Sequence, residues 1–167
     1  MFGFLKKKRE EFNVVAPVSG ILTKLEDVKD PVFAEKMMGD GFAIQPNDST
    51  IVAPISGTIV SLPKTKHAIG IKTEDGIEVL VHIGLDTVDL NGEGFTAFAQ
   101  EGNEIKQGDK LIEFDPEFMK QKGIDTTVMT IFTAGYDKKV LLLKDYGSKV
   151  EMNEVSSNRV RKYDRYN

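Results

Sequence analysis

The 167-residue chain contains no cysteine, no tryptophan and only two histidines, His67 and His82. Without cysteine there is no disulfide, no thiol nucleophile and no thiolate metal site, a composition that suits the cytosol. No apolar run approaches the roughly 20 residues that span a bilayer. Met1 leads into Phe2-Gly3-Phe4-Leu5 followed by Lys6, Lys7, Lys8 and Arg9. That order reverses the one a secretory signal needs, so none is expected. The formal net charge is -4, and no basic stripe runs through the body of the chain. A nucleic-acid partner is excluded on electrostatic grounds. Catalytic motifs are scarce as well. There is no Walker A sequence and no Gly-x-Ser-x-Gly, and no carboxylate pair stands out as acid and base. Gly92-Glu93-Gly94-Phe95-Thr96-Ala97 matches a dinucleotide fingerprint by letter but lacks the βαβ context that gives it meaning.

What remains is a β pattern. Short runs rich in Val, Ile and Thr alternate with Gly, Pro, Asn and Asp clusters. Strands are expected over 13–15, 20–25, 42–45, 51–53, 57–61, 67–73, 77–83, 110–114, 128–133 and 140–143. Many short strands between regular turns predict an all-β sandwich or barrel. One helix is expected after Asp115, with Pro116 in the first position and Gly123 as its stop. A further helical turn is expected within 31–38. Residues 13–157 read as one domain, 1–12 as a flexible tail and 158–167 as a basic C-terminal tail. The first tail sets Phe2, Leu5 and Phe12 beside the basic run, so weak contact with an anionic membrane is expected there.

Two further features narrow the reading. Ala16-Pro17-Val18-Ser19-Gly20 recurs as Ala53-Pro54-Ile55-Ser56-Gly57, each opening a strand, and Gly102 and Gly108 mark turns before another. This resembles the barrel-sandwich folds of biotinyl and lipoyl carriers, but the modifiable lysine of those folds is missing, and Lys72 is a poor substitute. The second feature is the histidine pair, which lies at the two ends of one predicted hairpin around Asp75-Gly76. A two-residue loop there sets both imidazoles on one face as diagonal neighbours, and a four-residue loop sets them opposite. A three-residue loop sends them to different faces.

The run Leu80-Val81-His82-Ile83-Gly84-Leu85-Asp86-Thr87-Val88-Asp89-Leu90-Asn91-Gly92-Glu93-Gly94-Phe95, with Thr65-Lys66-His67 upstream, closely resembles the phosphorylation signature of the glucose-type enzyme IIA family. These are phosphocarriers of the bacterial phosphoenolpyruvate-dependent sugar phosphotransferase system. The resemblance covers roughly residues 13–150, including 30–44, 52–57 and 102–114. It implies an antiparallel β-sandwich with Greek-key, jelly-roll-like connections and one or two short helices. It implies that His82 is the phosphorylated nucleophile, His67 supports the phosphoryl group, Thr65 orients His67, and Gly84 leaves room beside the nucleophile. It also implies a partner surface of Val32, Phe33, Met37, Met38, Leu80 and Val88, flanked by the carboxylates Asp30 and Asp86. On this reading Phe33→Asp or Met38→Asp weakens docking and spares stability. The implied donor is the phosphocarrier HPr, and the implied acceptor is the EIIB domain of an EIIB/EIIC sugar permease. Other regulatory protein targets are implied too. The setting is cytoplasmic, with peripheral contact at the inner membrane face through residues 1–12.

The chemistry supports this independently. At an ordinary pKa of about 6.5, roughly three quarters of a histidine is neutral and nucleophilic at pH 7. Phosphoryl transfer has a loose transition state, so positioning and electrostatics supply most of the catalysis. A second imidazole can donate to a phosphoryl oxygen, and a hydroxyl accepting from its other nitrogen fixes the tautomer. No cofactor is required. The alternative is a zinc module in which His67 and His82 hold Zn²⁺ with a ligand from a partner.

Overall fold

The computed structural model describes residues 11–136, 140, 142 and 144–161. Residues 1–10, and with them most of the expected membrane-contacting tail, lie outside the described residues. Thirteen strands are seen among the described residues. They are β1 (Glu11–Val15), β2 (Gly20–Thr23), β3 (Gly41–Pro46), β4 (Thr50–Val52), β5 (Gly57–Ser61), β6 (Ala68–Lys72) and β7 (Glu78–Ile83). The remainder are β8 (Phe95–Ala97), β9 (Glu104–Ile105), β10 (Lys110–Phe114), β11 (Val128–Ala134), β12 (Lys149–Val150) and β13 (Val155–Arg161). An eight-stranded sheet runs β12-β2-β3-β11-β7-β6-β5-β9, a second sheet runs β4-β10-β8, and β1 pairs with β13. Every pairing among these strands is antiparallel. β11 returns from late in the chain to lie between β3 and β7, a Greek-key-like crossing.

The differences from expectation have physical causes. β8, β9 and β12 are two or three residues long and too short to show alternation in sequence. β13 pairs Arg161 with Glu11 and Val160 with Phe12, so the sheet crosses both expected tail boundaries. Of the strand expected over 140–143, Leu142 forms an isolated bridge, and residues 141 and 143 lie outside the described residues. The second helix, α2 (Pro116–Gln121), follows its sequence signals closely. Asp115 caps it by accepting from the Glu117 and Phe118 N–H groups, and Gly123 takes the left-handed conformation beyond its end. The first, α1 (Pro31–Ala34), is one turn capped by Asp30.

The large sheet is buried on both faces, and this positions the site. Its inner face meets the three-stranded sheet over Leu22, Phe42, Ile44, Ile69, Val79, Val81, Val128 and Phe132. Its outer face carries a smaller cluster of Leu25, Val28, Phe33, Ala43, Leu85, Met129 and Ile131, with Leu80 against it. Alternation along β7 sends Val79, Val81 and Ile83 inward and Leu80 and His82 outward, to the edge of this second cluster.

Thr130 breaks the apolar pattern of the inner face. It is fully buried beside Phe42 and Val81, and its hydroxyl has no hydrogen-bond partner. A buried polar group left unpaired costs about 1–3 kcal/mol. Thr130→Val, nearly identical in shape, is expected to raise unfolding stability by about 1 kcal/mol or more, read from urea unfolding midpoints.

Candidate active site

The hairpin that carries the histidines closes differently from expectation. Thr73 N–H donates to the Ile77 carbonyl, Gly76 N–H donates to Thr73, and Gly76 has φ +91°. This is a three-residue loop, a β-turn followed by one left-handed glycine. It pairs Ala68 with His82 and sets His67 level with Ile83. Strict alternation would then part the two imidazoles. The rings nonetheless meet edge to face, with centroids 5.0 Å apart. The reason lies just before β6. Lys66 has φ +56°, so the chain turns there, and His67 precedes the first paired residue and escapes the alternation. Thr65 Oγ1 lies 2.7 Å from His67 Nδ1 and fixes the ring from behind. An accepting hydroxyl, as expected, would take the single N–H of a ring that burial keeps neutral; for Nε2 to carry the proton instead, the hydroxyl must donate to Nδ1.

His82 is held in the complementary state. Its Nδ1 donates to the Gly84 carbonyl at 3.0 Å, which leaves the lone pair on Nε2. Burial, reinforced by the neighbouring His67, pushes its pKa down to about 4, against weaker opposing effects of the Gly84 hydrogen bond and Asp30. Burial also lowers the pKa of His67. Both rings are neutral at pH 7, more completely than an ordinary histidine would be. The Phe33 ring lies 4.8 Å from His82 on its other side.

The reason for glycine at position 84 differs from the expected one. Gly84 has φ +76°, and a Cβ there would fall 2.6 Å from the Thr87 methyl and 2.9 Å from the Asp125 carbonyl oxygen. The missing side chain makes room inside the fold, and what Gly84 offers His82 is its carbonyl.

The residues expected to form the partner surface separate into exposed, half-buried and buried ones. Val32, Met38 and Val88 are exposed, as is Met37 at 70%. Asp86 is exposed in the left-handed conformation before a turn of 3-10 helix, Thr87–Leu90. Asp30 caps α1, accepting from Val32 N–H at 3.0 Å, and is half-buried, as is Leu80. Phe33 is corrected. It is only 5% exposed and belongs to the outer-face cluster, because α1 folds it down onto Leu25, Leu85 and Met129. One group was missed from sequence. Lys36, itself at φ +58°, pairs with Asp40 at 3.1 Å and Glu26 at 3.7 Å, pinning the loop that displays Met37 and Met38. The zinc alternative finds no support. Among the described residues no group of three or more His, Asp or Glu side chains is placed to hold a metal ion.

Two neutral imidazoles meeting on an antiparallel sandwich, one of them with an unprotonated Nε2, are equipped to accept a transferable group. Comparison with known proteins says which. The family model for the phosphoenolpyruvate-dependent sugar phosphotransferase system, EIIA 1, matches residues 12–137. A glucose-specific EIIA component of the phosphotransferase system from Halalkalibacterium halodurans is 44% identical over 162 residues, covering 93% of each chain. The glucose-specific EIICBA component of Streptococcus pneumoniae is 49% identical over 143 residues, 86% of this chain and 20% of that longer protein. The solved structure of glucose permease IIA from Mycoplasma capricolum superposes with a TM-score of 0.77 at 36% identity, covering 94% of this chain and 98% of that one. The chain belongs to the EIIA 1 family and is a phosphocarrier component of a sugar phosphotransferase system. Among the described residues no helix is long and apolar enough to cross a membrane.

Proposed function

We propose that His82 takes a phosphoryl group on Nε2 from the phosphohistidine of HPr and passes it to the EIIB domain of a glucose-type permease. The observation that carries this reading is the His82 Nδ1 hydrogen bond to Gly84, which leaves Nε2 unprotonated on a ring that meets His67 edge to face. In the transfer the donor's N–P bond breaks as a new N–P bond forms at His82 Nε2. No proton has to leave, because Nε2 carries none. His67, with Thr65 donating to its Nδ1, presents an N–H to a phosphoryl oxygen. No cofactor enters this scheme.

Glucose as the sugar is supported by the names of the relatives, and delivery to a permease by the streptococcal EIICBA relative. Phosphorylation adds a charge of roughly -1.5 to -2 at neutral pH. Placed on a ring that packs against Phe33, the neighbour in α1 of the exposed Val32, that charge would alter which proteins dock there, which gives the carrier a regulatory role. The work is cytoplasmic, with the apolar and basic residues 1–10 offering weak membrane contact.

Intact-mass spectrometry after incubation with phosphoenolpyruvate and the general phosphotransferase proteins tests the reading. The wild type should gain one phosphoryl group. His67→Gln should also gain it and then lose it to an EIIB domain about a hundredfold more slowly, the range for a lost transition-state donor. No gain in the wild type overturns the reading. Delivery by His67→Gln at the wild-type rate removes His67 from it.

A further inference from the structure

The carbonyl that holds His82 belongs to a peptide unit that is itself held. Gly84 O accepts from His82 Nδ1, and the N–H of that same planar trans peptide is Leu85's. In a trans peptide the C=O and N–H point in opposite directions, so securing one aims the other. Leu85 N–H donates to the Asp125 carbonyl at 2.9 Å, and Gly84 N–H donates to the Thr127 carbonyl at 2.8 Å. The Asp125 carboxylate shapes the segment that supplies both acceptors. Its Oδ1 accepts from Thr127 N–H at 3.0 Å and from the Thr127 hydroxyl at 2.6 Å. From the other side the buried Thr87 hydroxyl donates to the Ile83 carbonyl at 2.5 Å, and its methyl packs where a Gly84 side chain would fall.

We propose that Asp125, through its carboxylate-closed turn with Thr127, is a positioning residue for phosphoryl transfer. It aims the Gly84 carbonyl at His82 and thereby keeps that imidazole's proton on Nδ1 and its lone pair on Nε2. The proposal rests on the reading of His82 as the nucleophile. Asp125 touches no reacting atom; its carboxylate acts through the Thr127 turn, the Leu85–Asp125 backbone hydrogen bond and the Gly84–His82 contact. Its energetic weight is that of a tautomer choice. With the Gly84 carbonyl released, the ring can carry its proton on Nε2 instead, and in that state it cannot attack phosphorus there.

The test uses the full chain labelled with ¹⁵N-histidine. Imidazole nitrogen shifts report the His82 tautomer before any phosphoryl donor is added, and single-turnover phosphorylation then reports the rate. Wild type should show the proton on Nδ1. Asp125→Ala should show a measurable share with the proton on Nε2 and about a tenfold slower phosphorylation step, equivalent to ~1.4 kcal/mol in the barrier. The loss should fall on kcat and leave KM unchanged. Asp125→Asn, which keeps Oδ1, should restore both. Thr127→Val removes one of the two donors to the carboxylate and should shift both readouts in the same direction, and it carries the test if Asp125→Ala does not fold. A folded variant with wild-type tautomer and rate overturns the proposal, even with a lowered melting temperature, because it reduces the turn to a stability element. The tautomer is read without donor, so a wild type that fails to become phosphorylated on His82 is a distinguishable result: it overturns the function, and with it the transfer role of Asp125, whatever the tautomer.

Discussion

His82→Ala is expected to abolish phosphoryl acceptance while leaving a folded protein. On the proposed arrangement His67 does not replace it, because with the Thr65 hydroxyl donating to Nδ1 the neutral ring carries its proton on Nε2 and has no lone pair there to attack phosphorus. The same substitution should change how stability responds to acid. In the folded wild type the pKa of His82 is about 4, below the ordinary 6.5 of the unfolded chain. Between those values the unfolded chain binds the proton and the folded one does not. The stabilisation from the neutral buried ring is therefore complete above pH 6.5 and is lost as pH falls to about 4. The amount at stake is about 3 kcal/mol. His82→Ala should show a flatter decline over that interval, read from urea midpoints at a series of pH values. A variant that still gains a phosphoryl group, or declines as steeply as wild type, contradicts the assignment.

Phe33→Asp is expected to be the most destabilising of the changes near the site. Truncating a buried phenylalanine costs about 3–5 kcal/mol, and a carboxylate placed in the same apolar cluster adds to that. Against a total stability of about 5–15 kcal/mol this is enough to populate the unfolded chain. The His82 ring would also lose the face that packs against it at 4.8 Å. Met37→Asp and Val88→Asp, at 70% and 48% exposed positions, should stay within about 0.5 kcal/mol of wild type and act on docking instead. Thermal unfolding of the three variants separates the two kinds of residue. A Phe33→Asp protein that melts with the wild type would return Phe33 to the docking surface.

The contrast between these residues shows what was legible in the chain. Elements closed by local chemistry were readable. Asp115, Pro116 and Gly123 bounded α2 because a cap, a fixed φ and a left-handed stop act within a few residues. The histidine pair was readable, but for the wrong geometric reason. Asp75-Gly76 suited a two-residue loop, and the fold instead uses Glu74-Asp75-Gly76, with Lys66 turning the chain to bring His67 back. A left-handed lysine has no sequence signature.

Phe33 read as a surface residue because a one-turn helix has too few positions to show a periodic face. Its burial depends on Ala43, Leu85 and Met129 from three other parts of the chain. β13 was hidden in a polar, basic stretch whose pairing partner lies at the other end of the sequence. Asp125 was invisible for a similar reason: it reaches His82 only through backbone groups of a turn that no spacing rule connects to it.

The central claim is the atom that carries the phosphoryl group. Heteronuclear NMR of the phosphorylated, ¹⁵N-histidine-labelled chain reads that atom directly. The account predicts phosphorus coupled to Nε2 of His82, the proton retained on Nδ1 and His67 unmodified. Phosphorus on His67, or on Nδ1 of His82, would contradict it.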